Sequence, residues 1–269
     1  MAIRRLLRGT LAQEELESVA REAIERRGES FESVRLLEAE NWLSTPAVVN
    51  EQFFLKIISM QNTVVQGLLT TSRNIGVFSS GNEAFFERFR TPLEMAEHEL
   101  AATREIRDLG VNAPKPVEAF EYDGYGVLVL EYLPEFETLD SVDEETAREL
   151  APELFRSLTR MHDAGLAHGD LRGENVLVTD GELYFIDATN VNEEAIDDAR
   201  AYDIACALAA LEPLIGATET VGAAVSHCPG KVLLDAEQYL DFVNLRPDHA
   251  FGVMALQGEI DKAVRTDEN

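Results

Sequence analysis

The segment from His168 to Asp187 reads HGDLRGENVLVTDGELYFID, and its polar side chains are spaced in a way that suits the chemistry of nucleotide phosphates. Asp170 and Asn175 precede a short apolar run, and Asp187 follows a second one. Mg²⁺ prefers oxygen ligands, usually one or two carboxylates together with substrate phosphates. Asn175 and Asp187 could supply the protein's share of such ligands, which leaves Asp170 to orient a hydroxyl group or a water molecule.

A β-hairpin must bring these side chains together. The apolar runs 176–178 and 183–186 are joined by Thr-Asp-Gly-Glu, and Asp-Gly between two apolar runs is a strong hairpin signal. The hairpin returns the chain, so Asp170 and Asn175 are predicted to lie near Asp187. An ordinary hairpin with polar residues at its ends is the alternative.

This segment resembles the catalytic loop and metal-binding strand of the protein-kinase-like superfamily, H-x-D-x4-N followed by D-F-G. HGD in place of HRD is similar to RIO kinases, Bud32-type kinases and aminoglycoside or choline phosphotransferases, and GELYFIDATN most resembles the RIO group. The resemblance implies that Asp170 is the catalytic aspartate and that Asn175 and Asp187 are the metal ligands. It also implies that His168 is a structural residue that braces the loop, rather than a general base.

Lys56 lies in the apolar, strand-like run QFFLKII, where a lysine is costly unless it has a partner. Glu99 is the predicted partner, because it lies about two turns from Ile106 on a predicted helix and so faces close to its apolar stripe. The helix spans residues 91–110, and its signals are the N-cap Thr91, Pro92, the capping-box Glu94 and the stop Gly110. Kinases use such a Lys–Glu pair to hold the α- and β-phosphates. Two unrelated surface residues are the alternative.

The resemblance also implies a nucleotide site. Residues 118–122 and 126–133 are predicted strands around an Asp-Gly turn, and the second would lead into the hinge between the lobes. Adenine would then bond to the backbone of Glu131 and Leu133, with Leu130 behind it. Leu177 and Ile186 would also contact the nucleotide.

Beyond the hairpin, Asp203 in the apolar run AYDIACALAAL resembles the aspartate that braces the catalytic loop of kinases from below. Only sixteen positions separate it from Asp187, too few for the peptide platform of a typical eukaryotic protein kinase. Residues 144–164 have leucines at helical spacing and are predicted to form a buried helix before the loop.

Three departures from the kinase pattern concern the nucleotide. The predicted turn at 39–46, AENWLSTP, has no glycine to let backbone N–H groups approach phosphates, although Ser44 and Thr45 could substitute through their hydroxyl groups. Phe54 occupies the position above adenine where kinases keep a small residue, so it either stacks on the base or fills the pocket. Asp-Ala-Thr replaces D-F-G. In addition, residues 59–90 form either a mobile flap or a variable loop.

The net charge of -27 comes from 50 acidic residues against 23 basic ones and is spread along the whole chain. Self-repulsion of this size favours a protein from an extreme halophile, because molar salt shortens the screening length to roughly 3 Å. A merely acidic mesophilic protein is the alternative. The charge also argues against broad nucleic-acid binding.

Two isolated cysteines and the lack of a signal core favour the cytoplasm. No run approaches the apolar length that spans a bilayer, so no membrane contact is expected.

The sequence therefore predicts an α+β, two-lobed, protein-kinase-like fold with a small antiparallel N-lobe sheet, one main N-lobe helix, a mostly helical C-lobe and a short activation segment. The predicted divisions are an N-terminal helical segment at 1–30, an N-lobe at 31–132 and a C-lobe at 133–269. The N-terminal segment is expected to dock on the small lobe, and a truncated winged-helix, similar to the domain of some RIO-like proteins, is the alternative.

The predicted function is transfer of a phosphoryl group, dependent on ATP and Mg²⁺, by a RIO-like atypical serine/threonine kinase or ATPase. A small-molecule phosphotransferase and a pseudokinase acting as a binding module are the alternatives. The predicted partners are ATP and a protein or small-molecule acceptor, and the sequence does not choose among protein, metabolite and water.

Overall fold

The computed structural model describes residues 11–37, 44–63, 89–188, 196–244 and 251–267. The chain divides into two compact units. The sheet unit comprises Met1–Arg73, Glu87–Glu105 and Pro114–Pro134, and the helical unit comprises Asn74–Phe86, Ile106–Ala113 and Glu135–Asn269. An antiparallel sheet dominates the first unit and helices dominate the second. The predicted α+β class is therefore confirmed.

The sheet unit is built on five antiparallel strands in the order β1-β2-β3-β5-β4. Their bounds are β1 Val34–Leu36, β2 Thr45–Val49, β3 Phe53–Ile58, β4 Pro116–Tyr122 and β5 Tyr125–Glu131. The central strands β3 and β5 are rich in branched and aromatic residues, which suit a pleated surface covered on both sides. Asp123 and Gly124 join β4 to β5 with φ angles of 48° and 80°, as expected for a type I′ turn.

Each face of this sheet packs against one helix. Helix α1, Gln13–Glu25, buries its apolar stripe on the face that carries Leu55, Ile57 and Val129. Helix α2, Pro92–Asp108, places Met95, Ala96 and Leu100 on the opposite face. Within the described residues, the N-terminal segment therefore lies against the small lobe, as predicted for a docking segment.

The start of α2 shows one departure from the predicted capping box. Thr91 Oγ1 accepts a hydrogen bond from the Glu94 N–H at 3.1 Å, as an N-cap should. The Glu94 carboxylate, however, accepts from the Arg90 N–H at 2.7 Å rather than from the N-cap residue. The predicted capping box is therefore wrong by one residue. The Glu94 carboxylate bonds to the N–H of Arg90, one residue before the N-cap Thr91, because that N–H lies closer to it where the chain enters the helix.

Gly126 in β5 lies where α2 approaches the sheet most closely. A Cβ atom there would lie 2.1 Å from Pro92 O, and neither backbone can move away cheaply. We expect Gly126→Ala to lower the free energy of unfolding by about 1–3 kcal/mol in chemical denaturation. Gly258→Ala is the matched control, because a Cβ at that helical position meets nothing within 4 Å. A stability equal to wild type in Gly126→Ala would contradict this close packing.

In its described residues, the helical unit has four long helices and a small antiparallel sheet. The helices are α3 Glu144–Asp163, α4 Ile196–Val225, α5 Gly230–Asn244 and α6 Val253–Asp267; the strands, in the order β6-β7-β8, are β6 Glu137–Thr138, β7 Val176–Thr179 and β8 Glu182–Phe185. Strands β7 and β8 form the predicted hairpin, with φ of 52° at Asp180 and 75° at Gly181. A 3-10 turn, Gly173–Asn175, leads into β7.

Helix α4 corrects the expectation that no segment is apolar enough to cross a membrane. Among the described residues it is the one helix that meets this criterion by length and composition. It is interrupted at Gly216, whose φ of 77° is not helical. Its apolar residues, among them Tyr202, Ile204 and Leu208, are buried in the core of the helical unit, which explains why the helix is so apolar.

Candidate active site

The sheet unit contains a buried ion pair between Lys56 and Glu99. The Lys56 Nζ lies 2.7 Å from the Glu99 Oε2, and the two side chains are only 5% and 8% exposed. Strand β3 aims Lys56 toward the face that α2 covers, because alternate residues of a strand point to opposite faces. The two residues predicted as partners are therefore in direct contact.

Phe54 lies on the same sheet face as Lys56, two residues earlier. Its cross-strand neighbours are Val48 and Leu130. The ring is partly buried and packs against the apolar cluster beneath α2, which includes Leu128 and Leu130. Phe54 therefore places a bulky ring on the face of Lys56, where kinases keep a small residue.

In the helical unit, Asp203 on α4 holds the loop that contains the HGD motif. Its carboxylate is fully buried and accepts hydrogen bonds from the backbone N–H groups of His168, at 2.6 Å, and Gly169, at 2.8 Å. The His162 Nε2 lies 3.1 Å from the same carboxylate. Asp203 therefore fixes this loop from α4, as the resemblance implied, and His162 is a contact that the sequence analysis missed.

His168 braces the loop from within. Its Nε2–H donates to the Ile186 carbonyl oxygen at 3.0 Å, which ties the loop to the end of β8. No described residue pairs with its Nδ1. Burial lowers the pKa of His168 below its ordinary value, although Asp203, Asp170 and Asp187 act in the opposite direction. The ring is therefore neutral near pH 7, and its donor is committed to a backbone carbonyl, which fits the bracing role that the resemblance implies.

This pKa shift predicts a loss of stability in mild acid. The unfolded chain takes up a proton on this histidine below about pH 6.5, whereas the folded chain does not. The free energy of unfolding should therefore fall as the pH drops below that value, by at most about 1.4 kcal/mol per pH unit. Denaturation at pH 7.5 and pH 5.5, roughly one unit to either side, should show a smaller decrease for His168→Gln than for wild type.

His98 is the other described histidine whose pKa burial lowers, and it is unchanged in both proteins, so its contribution cancels in the comparison. An equal pH dependence in wild type and His168→Gln would contradict the assignment.

Asn175 and Asp187 are brought close by the hairpin. The Asn175 side-chain amide donates to the Asp170 carbonyl oxygen at 2.8 Å, which turns Oδ1 to the opposite side. The Ile186 N–H donates to the Asn175 carbonyl oxygen at 3.0 Å, so Asp187 follows directly after the residue bonded to Asn175. Asp187 has a φ of 60°, a left-handed conformation that non-glycine residues rarely adopt and that often marks functional sites.

The donor set fits Mg²⁺ better than a transition metal. One carboxylate and one amide oxygen are hard ligands, and Mg²⁺ sites are commonly completed by phosphates and water. Among the described residues there is no group of three or more His, Cys, Asp or Glu that could hold a metal ion. The pair is therefore suited to a metal that arrives with a phosphate ligand.

Asp170 has a close cationic neighbour that the sequence analysis passed over. Its Oδ2 lies 3.1 Å from an Nη atom of Arg172, and Arg172 also forms an ion pair with Glu174. Asp170 is buried, and the Arg172 side chain is only 23% exposed. One feature of the sequence could have pointed to Arg172. It lies two residues after Asp170, in a chain where acidic residues outnumber basic ones about two to one.

The residues predicted to contact a nucleotide fall in both units. Leu130 is buried beneath α2, and Leu133 follows the end of β5 and is half-buried. The Glu131 N–H donates to the Lys115 carbonyl oxygen at 2.9 Å, so any bond from its backbone to adenine must use its own carbonyl group. In the helical unit, Leu177 is buried in β7 and Ile186 is half-buried after β8. Their roles stay predictions.

Several predicted features lie outside the described residues. These are residues 1–10, residues 39–43 of the glycine-free turn, most of the predicted flap or loop at 59–90, and Thr189 of the Asp-Ala-Thr sequence. Ser44 and Thr45 are described. Ser44 is buried, and its hydroxyl group has no hydrogen-bond partner within the described ranges.

Curated relatives match limited parts of the chain. The KEOPS complex subunit Bud32 of Pyrococcus abyssi is 30% identical over 116 residues, covering 39% of this chain and 51% of the relative. The 3-deoxy-D-manno-octulosonic acid kinase of Vibrio cholerae is 34% identical over 88 residues, covering 30% and 37%. The chain thus spans about half or less of the length of these relatives.

Solved structures of the PAN3 pseudokinase also align with this chain. The Neurospora crassa complex of PAN2 with PAN3 aligns with a TM-score of 0.45 and 15% identity, covering 90% of this chain and 63% of the other. Drosophila melanogaster PAN3 gives a TM-score of 0.44 and 16% identity, covering 89% and 69%.

A family model adds to these matches. The model of the RIO domain matches residues 50–205, which is more than half of the chain and contains Lys56, Glu99, the HGD loop and Asp203. The chain belongs to the RIO domain family of atypical kinase-like proteins.

Proposed function

We propose that this protein transfers the γ-phosphoryl group of ATP, with Mg²⁺, to an alcohol acceptor or to water. The buried pair of Lys56 and Glu99 is the observation that carries the proposal. A buried ion pair contributes little net stability, because desolvation of both charges offsets their attraction. The ion pair between β3 and α2 is better explained by a need to hold the Lys56 ammonium group in a fixed position for contact with phosphates.

The remaining roles follow from the loop and hairpin. Asn175 and Asp187 would hold Mg²⁺, which supplies charge neutralisation to the phosphates when bound. Asp170 would orient the acceptor hydroxyl group or water, and His168 and Asp203 keep its loop in place. Lys56, positioned by Glu99, would contact the α- and β-phosphates. Positioning and electrostatic stabilisation supply most of the catalysis in phosphoryl transfer.

Binding of Mg-ATP and formation of ADP test this proposal. Both should be measured in multimolar KCl, because the net charge of -27 requires screening if the protein is adapted to high salt. Asp170→Asn should reduce ADP formation by at least about a hundredfold and leave Mg-ATP binding nearly unchanged. Absence of Mg-ATP binding at every salt concentration would refute the enzymatic proposal, and unchanged turnover in Asp170→Asn would refute the role of Asp170.

Arg172 is expected to support the same step. Its guanidinium group contacts Asp170. If Asp170 orients the acceptor, this cation would lie near the transferring phosphoryl group, where negative charge builds up. Arg172→Gln should lower the rate of ADP formation by about tenfold to a hundredfold with little change in the affinity for ATP. The matched control is Arg156→Gln, which replaces an exposed arginine of α3 that pairs with Glu153, and it should leave the rate unchanged. Equal rates in the Arg172 variant and wild type would remove Arg172 from the mechanism.

A small-molecule phosphotransferase is the second candidate. It is favoured by the match to a protein named as a sugar-acid kinase and by the short stretch between Asp187 and Asp203. A panel of hydroxyl-bearing metabolites should then include one that accelerates ADP release and is itself phosphorylated. Phosphate release without any such acceptor would favour an ATPase.

A pseudokinase that acts as a binding module is the third candidate, because the Phe54 ring lies on the face of Lys56. In that case wild type should bind no Mg-ATP, whereas Phe54→Ala should gain binding by opening space above the base. Mg-ATP binding by wild type, or no gain of binding in Phe54→Ala, would refute this candidate.

A further inference from the structure

A cavity of about 380 Å³ opens on the sheet unit, at the end where β3 and β4 begin and β5 ends. Its polar lining comprises Arg27, Gln52, Lys115 and Glu131, and its apolar lining comprises Phe53, Pro116 and Val117. The volume lies in the range of sites that hold small molecules. None of these seven side chains has been given a role in phosphoryl transfer, although the backbone of Glu131 has been predicted to contact adenine.

The cavity lies on the sheet face opposite to Lys56. Phe53 and Glu131 are cross-strand partners and therefore share a face. Phe53 packs against the cluster beneath α1, whereas Phe54, the next residue, packs against the cluster beneath α2. Because alternate strand residues point to opposite faces, a ligand in this cavity would be separated from Lys56 by the sheet itself.

Lys115 differs from the other lysines of this acidic chain. Lys56, Lys231 and Lys262 each lie within 2.7 Å of a carboxylate oxygen. For Lys115, in contrast, no ion pair within 4 Å is found among the described residues. The Glu131 carboxylate in the same cavity accepts instead from the Lys115 backbone N–H, at 3.3 Å. A lysine without an ion pair among the described residues is unusual in a chain with 50 acidic residues, although Lys115 is exposed and Glu131 lines the same cavity.

Arg27 supplies a second cation in a fixed orientation. Its Cζ lies 4.4 Å from the centroid of the Phe53 ring, so the guanidinium group lies over the aromatic face. Its Nε bonds to Glu29 at 3.3 Å, and no hydrogen bond joins its Nη atoms to a residue in the described part of the chain. A guanidinium group over an aromatic face keeps N–H donors at its edge, and these donors can bind an oxyanion.

We propose that this cavity binds a small organic anion, a compound that carries a carboxylate or phosphate group on an apolar body. The anionic group would lie between Lys115 and Arg27, with the Gln52 amide as a further donor. The apolar body would lie against Phe53, Pro116 and Val117, which gives the mixture of apolar walls and few polar groups that is typical of ligand sites. The proposal does not depend on ATP binding or on catalysis.

Fluorine NMR of the full chain with 4-fluorobenzoate and 4-fluorophenyl phosphate tests the proposal at constant KCl. At least one probe should bind saturably, and the tighter of the two identifies the head group. Lys115→Gln and Arg27→Gln should each weaken that binding by about fivefold or more, whereas Lys115→Arg should retain it. Lys231→Gln is the matched control and should have no effect, because Lys231 is an exposed lysine already paired with Asp235.

Backbone amide shifts of Gln52, Phe53 and Glu131 in wild type give a second readout that does not depend on any variant. Failure of both probes to bind saturably would overturn the proposal. Equal weakening in Lys231→Gln, or displacement of the probe by excess Mg-ATP, would also overturn it, because the probe would then report general charge or the nucleotide site. Retained probe binding in Lys56→Met would separate this site from the proposed phosphoryl-transfer machinery.

Discussion

The double variant Lys56→Met/Glu99→Leu is expected to lose ADP formation by at least about a hundredfold while its free energy of unfolding stays within about 1–2 kcal/mol of wild type. Both side chains are almost fully buried, and their Nζ and Oε2 atoms are 2.7 Å apart. Replacing a buried ion pair with apolar residues of similar size is often neutral for stability, because the desolvation cost disappears together with the attraction. The same change removes the ammonium group that would contact phosphates.

The single variant Lys56→Met gives the complementary result. It keeps a buried carboxylate without its lysine, which should lower the free energy of unfolding by about 3–5 kcal/mol. Stability should therefore fall in the single variant and recover in the double variant, while activity is lost in both. Denaturant unfolding and ADP formation on the same samples measure the two effects. Wild-type activity in the double variant would show that the pair is purely structural.

The variant Asp203→Ala is expected to show the largest loss of stability in the helical unit. The substitution removes the acceptor of two backbone N–H groups of the HGD loop and the neighbour of His162. Each buried donor left without an acceptor costs about 1–3 kcal/mol, so the total loss should be about 3–5 kcal/mol. Because the loop also carries Asp170, ADP formation should fall in parallel under conditions where the variant is still folded.

Asp197→Ala is the matched control for Asp203→Ala. Asp197 lies on the same helix, its side chain is 93% exposed, and it forms an exposed ion pair with Arg200. Its loss should change the free energy of unfolding by no more than about 0.5 kcal/mol. Urea or guanidinium titrations at fixed KCl measure both variants. A small effect of Asp203→Ala would mean that the loop is held by other contacts.

The secondary structure was largely predictable because its signals are local. The Asp-Gly pairs at 123–124 and 180–181 adopt the positive φ angles that a two-residue hairpin turn needs. Thr91 caps α2 as predicted, and Asp143 caps α3 by accepting from the Thr146 N–H. The strands and helices of both units therefore follow from residues within a few positions of each other.

The weaker predictions concerned details that depend on the exact path of the backbone and on packing. The carboxylate of Glu94 bonds to Arg90, which depends on how the chain enters α2. The apolar length of α4 was underestimated, because Glu212 and Pro213 interrupt its apolar run near the middle, whereas the helix continues beyond them and its apolar residues serve the core of the helical unit. Arg172 was overlooked because a lone arginine next to a motif carries no sequence signal of which atom it contacts.

The sequence by itself determined the class of fold, the family resemblance and the identity of the residues that could act on phosphates, because motif spacing and hydrophobic periodicity are written along the chain. Only the tertiary structure decided that Lys56 and Glu99, 43 positions apart, meet in a buried contact, and that Asp203 holds a loop 35 positions away. It also decided that burial lowers the pKa of His168 and that Lys115 and Arg27 line one cavity. Burial and partner choice arise from packing between segments far apart in the chain, and no local pattern specifies them.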